Sequence, residues 1–200
     1  MNKYENRSAS TYNKKADSYD DTFDGKFTYK YKIKLLELVY IPENGNLLDI
    51  ARGNGRFLQM LAQNQTFNGF GCNISENMVV KAKQSNPNMT FQLAPCDALP
   101  LQNETFDAVT VSVAFHHFPN IYGFAKEALR VLKPKGTLYI AEVYYPLLLR
   151  IIFNPFVRFF RAGDLKFYAP EEVSKVLRNT GFLNESVIIE GNIQIIQGYK

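Results

Sequence analysis

Along the chain, short apolar runs rich in β-formers alternate with stretches whose apolar residues recur at helical spacing, the pattern of a parallel sheet with crossover helices. Strands are expected near Asn46–Ile50, Phe67–Asn73, Met89–Ala94, Phe106–Val111 and Thr137–Val143. Helices are expected near Arg56–Asn64, Glu76–Gln84 and Ile121–Leu132. Ser75 is placed to cap the second of these helices, and Pro134 with Gly136 should stop the third. Two further apolar runs, Ser186–Ile189 and Ile193–Tyr199, are separated by Glu190-Gly191-Asn192 and read as an antiparallel hairpin. The class is therefore α/β, doubly wound, with helices on both faces of the sheet.

Composition narrows this picture. With 200 residues, 46% hydrophobic and 21% charged, the chain can bury one sizeable core, so a single domain over 1–200 is expected. The opening "MNKYENRSAS" has neither the apolar run of a signal peptide nor an anchor, and a cytoplasmic location is expected. A net charge of +4 is too mild to imply nucleic acid. Lys30, Lys32 and Lys34, alternating with Tyr29, Tyr31 and Ile33, suit a solvated helix face. Cys72 and Cys96 lack any CxxC spacing and read as small core residues.

Candidate chemistry gathers where the strands end. "NLLDIARGNGRFLQML", residues 46–61, runs from strand to helix through a turn containing Gly53 and Gly55, which lets backbone amides approach a ligand closely. Polar groups follow the next three strands as well, in "GFGCNISENM", "PCDALPL" and "SVAFHHFPN". Recurrence of such groups on one edge of a parallel sheet points to a ligand site there.

Taken together these stretches resemble the class I S-adenosylmethionine-dependent methyltransferases, in particular the small-molecule group that includes ubiquinone and menaquinone C-methyltransferases. The family's Asp-x-Gly-x-Gly-x-Gly motif aligns with Asp49, Ala51, Gly53 and Gly55, and "FDAVTVSVAFHHFPNIYGFAKEALRVLKPKGTLYIAE" resembles its fourth strand, helix and fifth strand. The resemblance implies sheet order 3-2-1-4-5-7-6 with strand 7 antiparallel. It implies S-adenosylmethionine as cofactor, with Asp49, Ala51, Arg52, Gly53 and Gly55 around its methionine part. Asn73 and Ile74 would face ribose and adenine, Asp97 and Ala98 the adenine amino group, and Ser112, Val113 and Ala114 the methionine ammonium. Tyr12 and Tyr19 resemble an N-terminal lid, within residues 1–40, that closes over the cofactor. Gly55→Val is expected to block the cofactor without unfolding the core.

Two residues depart from the family pattern. Ala51 stands for the first motif glycine, at a cost of about 1 kcal/mol if its φ is positive, and Asn73 stands for an acid, which gives up a charge-assisted bond. These changes leave room for a protein that binds the cofactor without catalysis. A nicotinamide-dependent oxidoreductase is less favoured, because the third glycine of GxGxxG is missing.

His116 and His117 are the candidate catalytic residues, as a base or to orient the acceptor. No metal is expected, because two adjacent histidines lack a third nearby ligand. Residues 144–168, "YYPLLLRIIFNPFVRFFRAGDLKFY", are apolar yet interrupted by arginines and Pro155, which is unsuited to spanning a bilayer. They are expected to cap a pocket for a small hydrophobic or aromatic acceptor, with peripheral membrane contact as a further use of the same face. No nucleic-acid partner is expected, and the pattern leaves the oligomeric state open.

Overall fold

The computed structural model describes residues 3–51, 53–157, 159 and 163–200. Helix α1 (Lys3–Lys15), a 3₁₀ turn (Tyr19–Asp21) and α2 (Phe23–Leu38) precede the sheet. There follow β1 (Gly45–Ile50), α3 (Arg56–Leu61), β2 (Phe67–Asn73), α4 (Glu76–Ser85), β3 (Thr90–Leu93), β4 (Phe106–Ser112) and a second 3₁₀ turn (Phe115–His117). The chain ends with α5 (Ile121–Val131), β5 (Leu132–Val143), α6 (Leu147–Val157), α7 (Pro170–Thr180), β6 (Leu183–Glu190) and β7 (Ile193–Tyr199). The seven strands form one sheet in the order β3-β2-β1-β4-β5-β7-β6, with β7 antiparallel to both its neighbours.

Side-chain alternation along the central strands explains why helices cover both faces. Leu48, Ile50, Val109 and Val111 point into a core shared with Phe124, Ala128, Val173 and Leu177 of α5 and α7. Leu47 and Ala108 point the other way, into a core built with Tyr31, Leu35, Phe57 and Leu58 of α2 and α3. Strands buried on both faces account for the nearly unbroken apolar runs in the sequence.

Local chemistry sets several ends as expected. The Ser75 hydroxyl accepts from the Met78 amide at 3.3 Å and starts α4. The β6–β7 hairpin turns on Gly191, whose φ is +57°. Two local expectations are corrected. Helix α5 ends at Val131, and Pro134 and Gly136 lie instead inside β5, whose pairing with β4 shifts register between Phe106 and Ala108. Lys32 is fully buried, its ammonium 5.8 Å from the Tyr19 ring centroid, because α2 packs on the sheet on one side and under the Tyr19 turn on the other.

The turn after β1 is strained at one point and relaxed at another. Ala51 has a φ of +57°, so its β-carbon carries the left-handed cost of about 1 kcal/mol, while its amide still donates to the Cys72 carbonyl at 2.8 Å. Gly55, at φ +79°, caps α3. A β-carbon at Gly55 would lie 2.7 Å from Asn86 Nδ2 and 3.2 Å from the Ala82 β-carbon, so this residue faces α4. Gly55→Val should therefore destabilise the fold itself by about 3 kcal/mol, from left-handed strain plus overpacking. Chemical denaturation measures this, and an unchanged midpoint would contradict the packing described.

Candidate functional site

The carboxyl ends of β1, β2 and β4 border a cavity of about 700 Å³, counting the solvent space at its mouth. Ala51 and Gly53 line it from the first turn, Asn73 and Ile74 from the end of β2, Ala94 and Cys96 from beyond β3, and Ser112, Val113 and Ala114 from the end of β4. Its roof is N-terminal: Tyr12 of α1 and Tyr19 of the 3₁₀ turn line it together with Glu5 and Ser8.

The roof is tied to the floor by polar contacts. Asn54 donates to Asp20 at 2.7 Å and Arg56 reaches the same carboxylate at 3.3 Å, fixing the Tyr19 turn to the glycine turn. Asn13 accepts from the Asn77 amide at 3.1 Å, which anchors α1 on the start of α4.

Within the cavity the residues differ in what they offer. Gly53 leaves open space, since an added β-carbon would meet nothing closer than Met78 Sδ at 3.6 Å. Asn73 is buried, and its Oδ1 accepts the Ser75 amide at 2.8 Å, so this oxygen is committed to the turn that starts α4. Ser112 Oγ is buried at the cavity wall with no hydrogen-bond partner among the described residues, a group able to meet a polar ligand atom. Val113 sits at φ +50°, held by its amide's 2.8 Å bond to the Ala141 carbonyl. With Ala51, it makes two left-handed side chains on one cavity wall, the kind of strain that collects at functional sites.

Other expected site residues stand outside the lining. Asp49 is fully buried one step behind the turn and accepts from the Thr110 hydroxyl at 2.8 Å, which couples β1 to β4. Gly55 faces α4, as described. Asp97 takes a 3.2 Å bond from Asn120, the residue that caps α5, and Ala98 beside it is exposed. Arg52 lies outside the described residues.

The two histidines separate in role. His117 lines the cavity, its Nε2 3.1 Å from the Tyr12 hydroxyl. His116 is buried away from it, with Nδ1 3.0 Å from both carboxylate oxygens of Glu142. Asp164 Oδ1 lies 3.4 Å from His116 Nε2 and 3.0 Å from His117 Nδ1. Burial opposes charge on His116, but Glu142 and Asp164 outweigh it and raise its pKa. Burial and the adjacent His116 lower that of His117. Burial alone would raise both carboxylic acids, yet the histidines hold Glu142 and Asp164 below their ordinary values.

The sequence reading did not single out Glu142 or Asp164, since neither sits in a strand-end turn next to the motifs. Glu5, Ser8 and Tyr12, spaced three and four apart, were the available signal that one face of α1 meets the cavity. Asp164 also removes the premise that the histidines have no third ligand nearby. The 144–168 segment meets the site through Asp164, the Leu165 amide on the His116 carbonyl (2.9 Å) and Phe167 against the His116 ring. The side chains of α6 do not line the cavity. Leu147, Leu148, Ile151, Ile152 and Phe156 stand exposed, Arg150 is half-buried, and Arg158 and Arg161 lie outside the described residues.

Comparison with known proteins agrees with this geometry. Residues 48–140 match the methyltransferase domain family. The chain is 36% identical to 2-methyl-6-phytyl-1,4-hydroquinone methyltransferase of Synechocystis over 105 residues, 51% of this chain and 33% of that protein. It is 26% identical to the demethylmenaquinone methyltransferase of Thermotoga maritima, with 76% of each covered. Several of the curated relatives are matched over only 33% to 49% of their own length. A solved S-adenosylmethionine-dependent methyltransferase of Thermotoga maritima superposes with a TM-score of 0.78 at 21% identity, covering 96% of this chain and 99% of that one.

The Glu142–His116 pair should be visible in stability. Glu142→Gln, which keeps the shape and removes the charge, should cost about 2 kcal/mol, the scale of a hydrogen bond to a charged group. Urea unfolding at neutral pH measures it, and an unchanged stability would mean that the pair is not formed.

Proposed function

We propose that this chain transfers a methyl group from S-adenosylmethionine to a small hydrophobic acceptor, a reading supported by the match of residues 48–140 to the methyltransferase domain family and by the fold that 96% of the chain shares with a solved S-adenosylmethionine-dependent methyltransferase. The observation that carries this reading is the cavity over the ends of β1, β2 and β4, walled by Gly53, Asn73, Ile74 and Ser112 and roofed by Tyr12 and Tyr19.

The residues present fit the cofactor. Gly53 leaves room for close backbone approach, Ser112 Oγ and the Asn73 amide can meet polar groups, and Ile74 offers an apolar surface for adenine. When bound, the cofactor supplies an activated methyl on a sulfonium. The protein's part is then alignment and exclusion of water, because methyl transfer is a direct displacement that needs a base only when the acceptor must lose a proton. Tyr12 and His117, hydrogen-bonded to each other at the cavity, are the groups in this reading that would orient the acceptor or accept its proton. His116 acts through His117 and the turn that carries both.

The acceptor class is read from α6 and from the relatives. The exposed leucine, isoleucine and phenylalanine side chains of α6 form a large apolar surface, suited to gathering a hydrophobic acceptor or to resting on a membrane surface. No helix among the described residues is long and apolar enough to cross a membrane. The Synechocystis relative is named for a prenylated hydroquinone, so an acceptor screen should begin with such compounds. Binding without transfer is the second reading, motivated by the strain at Ala51 and the neutral Asn73.

Calorimetric titration with S-adenosylmethionine and S-adenosylhomocysteine tests the cofactor. Gly53→Val should fold normally yet lose at least about tenfold in affinity, or about 1.4 kcal/mol. If its affinity matches the parent's, the cofactor does not lie against the glycine turn. Asn73→Asp keeps the bond to the Ser75 amide and adds charge, so it should tighten binding by a few-fold to about tenfold. A weaker dissociation constant for that variant would place the ribose elsewhere. Replacing Leu148, Ile151, Ile152 and Phe156 by Ser should leave cofactor affinity within a few-fold and reduce transfer to a prenylated acceptor. Retained transfer would remove α6 from the acceptor's path, and loss of binding to phosphatidylglycerol vesicles alone would assign it to the membrane.

A further inference from the structure

Three side chains that the sequence holds 47 or more positions apart, or immediately adjacent, converge on one buried point beside the cavity. Asp164 Oδ1 lies 3.0 Å from His117 Nδ1 and 3.4 Å from His116 Nε2, and the donor atoms of the three residues lie within 4.8 Å of one another. A tetrahedral ion with ligands at about 2.0–2.1 Å spaces its donors by roughly 3.4 Å, so the two separations from Asp164 to the histidines already suit a shared ion.

The outer partners are in place as well. Each imidazole has its second nitrogen occupied: Glu142 lies 3.0 Å from His116 Nδ1, and the Tyr12 hydroxyl lies 3.1 Å from His117 Nε2. Such carboxylate and hydroxyl partners fix the tautomer and direction of a ligating histidine, leaving the other nitrogen to the metal. Charge points the same way. Glu142 is fully buried and Asp164 nearly so, and a doubly charged cation between them offsets two carboxylates in a region of low polarisability.

We propose that His116 Nε2, His117 Nδ1 and Asp164 bind one divalent transition-metal cation of the zinc class, the class that two imidazoles and a carboxylate favour. The ion joins the turn after β4 to the segment leading into α7, and so fixes the edge of the cavity where His117 stands. Three protein donors leave one tetrahedral position for water or an acceptor oxygen. The proposal does not depend on methyl transfer, and its test reads metal binding alone.

The full chain, stripped with a chelator and dialysed, is titrated with Zn²⁺ by calorimetry and with Co²⁺ by visible absorption. One equivalent should bind with a dissociation constant of about 1 µM or tighter, and Co²⁺ should give the intense bands of a tetrahedral site. Asp164→Asn and His116→Ala should each weaken Zn²⁺ by more than tenfold, and Glu142→Gln by about tenfold through its hold on His116. Asp97→Asn, a carboxylate outside both the cavity lining and the three-residue cluster, should leave metal binding unchanged. The parent chain failing to bind either ion below about 100 µM would overturn the proposal whatever the variants do. Full-strength binding in folded Asp164→Asn would also overturn it, by placing the ion elsewhere.

Discussion

Everything at the site depends on the parallel pairing of β1 with β4 in the middle of the sheet. The chain leaves β1 through α3 toward β2 on one side and leaves β4 through α5 toward β5 on the other. Right-handed crossovers then put the two sets of helices on opposite faces, and the carboxyl ends of β1 and β4 are left uncovered between them. The Thr110–Asp49 hydrogen bond, between residues directly opposite each other in the two strands, holds this opening in register. A cavity arises there because the topology leaves room, and the turns after β1, β2 and β4 form its floor and walls beneath the N-terminal roof.

The opening is roofed from the N-terminus and its histidine turn is backed from the C-terminal side, and each attachment is polar. From the N-terminus, α1 and the Tyr19 turn are bound through Asn13, Asp20 and Asn54. From the C-terminal side, the segment before α7 is bound through Asp164 and the Leu165 amide to the histidine turn. Apolar packing alone would let both covers slide, since it is non-directional. Directional bonds fix where they stop. The cost of burying Glu142 and Asp164 is offset by the histidines they face, which makes the histidine turn rigid where the cavity needs a defined wall.

Strand-end chemistry was legible because it obeys local rules. The alternation of apolar strands and helices marks a doubly wound sheet, and the polar groups after β1, β2 and β4 do border one cavity, with Gly53, Asn73, Ile74 and Ser112 all on its wall. Gly55 was misread for a local reason too. Both glycines of the turn look alike in sequence, and only the path of α4 shows that Gly55 faces Asn86 while Gly53 faces the cavity. Lys32 was misread because its neighbours alternate as on a solvated helix, whereas the Tyr19 turn folds back over it.

By itself, then, the sequence determined the class of fold, the strand order implied by its motifs and the edge of the sheet where chemistry gathers, because these follow from periodicities of two and 3.6 and from turn residues within a few positions of each other. Tertiary structure alone decided which side chains meet. Tyr12 reaches His117 across 105 positions, Glu142 reaches His116 across 26, and Asp164 arrives beside both from a segment read only as an apolar cap. Such contacts have no signature in local spacing, because they are set by how two covers and one sheet edge close on the same point.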